Sequence, residues 1–152
     1  MLLLLIPVET YLEYVNVVNH KIQKDTFFNG EGVMVPQYLK EKNISHDNIL
    51  FLEYHIGYWL LDTKPPTKAA TQPSNILKDE MFFAYENPRE EGIEELAYIM
   101  DHIQPPIVVT RKNRRVFDKE EEEANLFINE YLEEHYSKLD SVDAAIIYRR
   151  LK

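Results

Sequence analysis

Apolar positions change period several times along this chain, and each change marks an element. From Pro7 to Ile22 they recur at Val8, Tyr11, Leu12, Val15, Val18 and Ile22, a helical spacing that Pro7 suits as first helical residue. The preceding run MLLLLI has no basic leader and is too short for a membrane span, so it is expected to be a buried first strand. Asn29-Gly30-Glu31-Gly32 predicts a turn, Val33-Met34-Val35 a short strand, and Pro36 a brief helix through Lys42.

The run Ile49–Leu61 fits two readings. As a strand it aligns Glu53, His55, Gly57 and Trp59; as a helix it turns Leu52, Ile56, Trp59 and Leu60 inward, behind a Ser45 or Asp47 cap. Its length and few β-branched residues favour the helix. Lys64–Asn75, with three prolines and no apolar period, is a loop.

Beyond it, the aromatics of Met81–Tyr85 predict a strand. Asn87 then caps a helix, with Pro88 first and Glu90 three residues after the cap. Ile93, Leu96, Ala97, Met100 and Ile103 form the inward stripe of that helix, and Pro105-Pro106 ends it. Ile107-Val108-Val109 is a buried strand, and Arg111-Lys112-Asn113 turns the chain into a hairpin through Arg115-Val116-Phe117. A second amphipathic helix carries Ala124, Phe127, Ile128, Tyr131, Leu132 and His135 on one side, and Ala144–Tyr148 closes the chain as a strand.

Together these elements predict one α+β domain over 1–152, a small mixed sheet packed with several helices. Residues 1–63 form its first half, 64–75 a Pro/Thr-rich connection and 76–152 its second half. The 152 residues suffice for one core and not for two large ones.

Composition narrows the chemistry. The chain has no cysteine, which excludes disulfides, thiolate zinc sites and a thiol nucleophile and suits a cytoplasmic protein. The five histidines show no metal spacing, no Gly-x-Ser-x-Gly elbow is present, and Asn29–Gly32 lacks the lysine of a phosphate loop. A net charge of −9 argues against non-specific nucleic-acid binding by the whole molecule. The charge is uneven: residues 117–140 hold nine acids and two bases, whereas Arg111, Lys112, Arg114 and Arg115 cluster, as do Arg149 and Arg150.

The residues Asn87-Pro88-Arg89, Ile93-Glu94-Glu95-Leu96-Ala97, Gln104–Val109 and Ser141–Ile147 resemble the ParB/sulfiredoxin-like domain of partition proteins and ParB-like nucleases, over roughly residues 80–150. The resemblance implies a strand-helix-strand-hairpin-helix-strand second half and action on nucleic acid. One part departs from it. The family's phosphate-contacting Gly-Glu-Arg-Arg stretch falls at Asp118-Lys119-Glu120-Glu121, where the glutamates Glu120–Glu123 repel phosphate, so no nucleotide is expected.

Two functions follow. In the first, Glu86 and Arg89 are catalytic residues of a small nuclease, with Glu80 and Glu86 sharing a strand face and holding Mg2+ or Mn2+ for phosphodiester hydrolysis. Arg111, Lys112, Arg114, Arg115, Arg149 and Arg150 would then contact the nucleic-acid backbone if their strands are neighbours. In the second, the chain is a non-enzymatic acidic protein whose Glu120–Glu123 segment covers a basic partner, as immunity proteins and inhibitors do. Neither involves a membrane.

Overall fold

Residues 15, 18–19, 21–23, 30–71, 75–86, 88–112 and 115–151 are described by the computed structural model of the chain. It divides into two units, Met1–Gly30 and Glu31–Lys152. In the first, Val15, Val18, Asn19, Lys21, Ile22 and Gln23 are helical, as their spacing requires, while the strand expected at MLLLLI lies outside the described residues. The second unit contains the sheet.

Four strands, β1 (Leu50–Phe51), β2 (Ile107–Arg111), β3 (Tyr136–Val142) and β4 (Ala145–Arg150), pair in the order β1-β2-β4-β3. β1 runs parallel to β2, and the other pairings are antiparallel. Helices cover both faces. On one face, α1 (Glu31–Glu41) and α2 (Ile56–Leu60) bring Val35, Leu39 and Tyr58 against Phe51, Ile107, Val109 and Ile147. On the other, α4 (Gly92–Tyr98) with the turn that follows it, Ile99–Ile103, and α5 (Glu122–His135) bring Leu96, Met100, Ile128 and Leu132 against Leu50, Val108 and Tyr136. Burial on both faces is why β2 reads as the unbroken apolar run Ile-Val-Val. The mixed α+β fold agrees with the sequence.

Several local expectations need correction. Val33–Val35 is not a strand but part of α1, because Val35 and Leu39, four residues apart, both dock on the sheet and outweigh β-branched propensity. Pro36 lies inside that helix rather than at its start. The run Ile49–Leu61 is neither one strand nor one helix. Tyr54, at φ +65°, turns the chain between β1 and α2, and α2 folds back over β1. There the Phe51 N–H donates to the Tyr58 hydroxyl at 2.9 Å, and the two rings meet edge to face at 5.0 Å. A Cβ on Gly57 would lie 2.4 Å from the Phe51 ring, so this approach requires glycine.

Met81–Tyr85 is also not a strand. It belongs to α3 (Asp79–Tyr85), whose first turn carries Asp79 and Glu80, favourable at the positive end of the helix dipole. Phe82 is buried and Phe83 is 94% exposed. The following helix starts at Gly92 rather than Pro88, and the expected Asn87 cap lies outside the described residues. The Gly92 N–H is instead taken by the Asp79 carboxylate of α3 at 2.7 Å, a cap supplied by another helix. A side chain on Gly92 would meet the Leu77 backbone at 2.5 Å.

The hairpin from Arg111 into Arg115–Phe117 does not form. β2 pairs with β4, the Lys112 N–H bonds the Ala144 carbonyl at 2.7 Å, and Arg115–Phe117 contribute no strand. That segment is held by Asn125 of α5. Its Oδ1 accepts from the Phe117 N–H at 2.9 Å, and its Nδ2 donates to the carbonyls of Asp118 (3.0 Å) and Glu121 (2.8 Å). β3 is an edge strand without an apolar alternation, and it joins β4 through Asp143, at φ +53°.

Candidate functional site

The outer face of α5 follows from its helical period. Ala124, Asn125, Ile128 and Leu132 point inward, which leaves Glu122, Glu123, Leu126, Asn129, Glu130, Glu133 and Glu134 exposed. Five carboxylates therefore share this face with Leu126, an apolar side chain 60% exposed. The Asn125 clasp fixes Glu120 and Glu121 immediately before the helix. Nearby, Asp79, Glu91, Glu121 and Glu123 line a cleft of about 230 Å³ where the starts of α4 and α5 meet, continuing the negative surface.

The residues proposed for catalysis have a different setting. Glu80 is exposed in the first turn of α3, and Glu86 caps that helix in a left-handed conformation at φ +52°. Six residues of helix rotate one roughly 120° from the other, so the shared strand face behind the metal pair is absent. Among the described residues, no group of three or more acidic or histidine side chains is placed to hold a metal ion. Glu86 and Arg89 do come together, on the wall of a cavity of about 200 Å³ that Thr67, Lys68 and Glu95 also line. Arg89 is ion-paired through Nε to Glu95, which is fully buried, and its guanidinium lies 3.9 Å from the centre of the Tyr98 ring.

Sequence reading missed Glu95 and Lys68. No sequence signal marked Glu95: the expected stripe of Ile93, Leu96, Ala97, Met100 and Ile103 set it outward, whereas the helix docks through Glu95, Leu96, Ile99 and Met100. An acid at that position needs a buried partner.

The proposed basic surface is dispersed. β2 and β4 are neighbours as required, yet their antiparallel register sets Arg111 beside Ala145 and Arg149 beside Ile107. Arg111 is thus four residues, roughly 13 Å, from the Arg149 end of the ladder. Arg111 lies 3.8 Å from Glu53, Lys112 and Arg115 are exposed, and Arg114 lies outside the described residues. Arg149 and Arg150, adjacent on β4, point to opposite faces of the sheet.

Arg150 serves a helix end. After Tyr98 the chain widens into one π-type turn, Ile99–Ile103, in which the Gln104 N–H bonds the Ile99 carbonyl at 2.9 Å. By the same offset the Met100 carbonyl would take its proton from residue 105, but Pro105 has no N–H. Tyr131 Oη at 2.9 Å and Arg150 Nη1 at 3.3 Å donate to that carbonyl instead. Tyr136 accepts from Arg150 and donates to the Pro105 carbonyl at 2.8 Å, which closes the network.

Three further groups are perturbed. Burial pushes the Tyr54 hydroxyl up to about 12 and moves Tyr58 upward too. Asp140 is held below its ordinary value, chiefly by the hydrogen bond it accepts from Tyr38 at 2.6 Å.

Fold and surface together define an α+β protein whose sheet is covered on both faces and whose helix α5 shows solvent an acidic face. Comparison with protein-family models, curated proteins and solved structures returns no match. Among the described residues, no helix is long and apolar enough to cross a membrane.

Proposed function

We propose that this chain is a non-enzymatic acidic binding protein, an immunity protein or inhibitor that covers a basic surface on a nuclease or DNA-binding partner. The observation that carries this reading is the outer face of α5, with five exposed carboxylates on the same face as the exposed Leu126. Carboxylates at a rim steer a basic partner and set its register, while a central apolar side chain gives the contact a desolvated anchor. The net charge of −9 adds to the long-range attraction.

The full chain, immobilised and exposed at low salt to lysate of its source cells, should retain a basic partner that elutes on a salt step. The variant carrying Gln at Glu122, Glu123, Glu130, Glu133 and Glu134 should lose it. Retention by that variant at the same salt would overturn the reading.

A second reading, the Mg2+- or Mn2+-dependent nuclease, draws support from the meeting of Glu86 and Arg89 on one cavity wall. It stands second because the carboxylate pair and the joined basic patch on which it was built are not assembled. Cleavage of DNA or RNA that requires Mg2+ or Mn2+ and disappears in Glu86→Ala would place it first.

A further inference from the structure

The cavity between the 67–69 segment and the chain around Glu86–Arg89 plays no part in binding through α5, yet it has the features of a ligand site. Its wall carries both signs of charge: Lys68 and Arg89 on one side of the balance, Glu86 and Glu95 on the other. The two carboxylates differ in kind. Glu95 is fully buried and fixes Arg89, while Glu86 is exposed at the mouth. The Arg89 guanidinium is further held over the Tyr98 ring, so its position is set before any ligand arrives. Burying an ion pair costs several kcal/mol of desolvation per ion.

One other observation points inward. The Thr67 hydroxyl lies buried in the same wall with no hydrogen-bond partner in the protein, and a buried polar atom of that sort calls for a ligand or water. Glu86 adopts a left-handed backbone at φ +52°, which turns it out of the helix it ends.

We propose that this cavity binds a small zwitterion, a free α-amino acid or a molecule with an ammonium and a carboxylate equally close together. The ligand carboxylate would lie toward Lys68 and Arg89, its ammonium toward Glu86 and its backbone end near the Thr67 hydroxyl. A volume of about 200 Å³ admits a molecule of this size.

The test uses the full chain and the twenty L-amino acids as probes, first by thermal shift at 5 mM and then by titration calorimetry. At least one should raise Tm and bind with a measurable Kd. For that amino acid, the amide, which lacks the carboxylate, and the N-acetyl form, which lacks the ammonium, should each bind about tenfold or more weakly, the loss of one charge-assisted contact. Glu86→Gln should weaken the parent amino acid without further weakening the N-acetyl form, and Lys68→Met should do the converse with the amide. Glu86 is exposed, so Glu86→Gln should keep the Tm of the unliganded wild type, and Lys68→Met is read through its ratio of parent to amide binding. Absence of binding by all twenty would overturn the proposal, as would unchanged binding in both variants. Equal binding of the N-acetyl form and the parent would remove the ammonium from the ligand. None of these substitutions touches α5, so the result is independent of the partner-binding test.

Discussion

Replacing Asn125 with leucine removes the clasp that ties the 117–121 segment to α5. Three of its hydrogen bonds are 2.8–3.0 Å long, one accepted from the Phe117 N–H and two donated to the Asp118 and Glu121 carbonyls. Asn125 is 7% exposed, so water does not readily replace the amide. A typical intramolecular hydrogen bond contributes about 1 kcal/mol, and the stranded Phe117 N–H adds a desolvation penalty of about 1–3 kcal/mol. Leucine's greater apolar burial offsets part of that sum, leaving a loss of about 3 kcal/mol. For a chain of this size that lowers Tm by about 6–12 °C. Calorimetry measures the shift, and amide exchange localises it: Phe117, protected in the wild type, should exchange orders of magnitude faster in Asn125→Leu. Asn125→Asp should not rescue, because its carboxylate can accept from Phe117 but cannot donate to the two carbonyls. A Tm within about 1 °C of wild type, or a Phe117 amide still protected in Asn125→Leu, would refute the reasoning.

Other outcomes follow from the same contacts. Tyr58 and Tyr54 have folded pKa values raised above the ordinary tyrosine value of 10.0, so the stability they contribute is complete below that value and is lost as pH rises toward their folded values. Chemical denaturation between pH 9 and 12 should show this alkaline loss, and Tyr58→Phe should reduce it while costing about 1–3 kcal/mol at pH 7 for the stranded Phe51 N–H. Arg150→Met should destabilise by about 1–2 kcal/mol through the Met100 carbonyl and should not change nucleic-acid affinity in a filter-binding assay; a selective loss of affinity with Tm unchanged would return Arg150 to a binding role.

Where an element's own burial pattern is simple, the sequence displayed it. β2 announces itself because Ile107, Val108 and Val109 are buried on both faces, and α5 because Ala124, Ile128 and Leu132 keep helical spacing. The failures have local causes. The aromatics of Met81–Tyr85 suggested a strand, but the acids Asp79 and Glu80 ahead of them start a helix. The Ile49–Leu61 run hid a fold-back, because its break comes at Tyr54, a residue that rarely takes a positive φ. β3 was invisible because an exposed edge need not alternate apolar residues. Of the sites, the Glu-rich start of α5 was legible, and Leu126 in its midst was not, since exposure depends on which face docks. Glu86 and Arg89 were singled out as neighbours in sequence and are neighbours on one cavity; Lys68, about 20 residues earlier, reaches that cavity only through the tertiary fold.

The claim that this chain is an acidic binding protein meets its most direct test in the affinity of the captured partner, titrated at 50 and 300 mM salt against wild type and the five-glutamine α5 variant. Exposed charge pairs contribute about 0.2–1 kcal/mol each, so the variant should bind about 2–3 kcal/mol more weakly at low salt, roughly 30- to 150-fold. The loss should lie mainly in the association rate, and the two proteins should converge at high salt. Equal affinity and an equal salt dependence for wild type and variant would contradict the account.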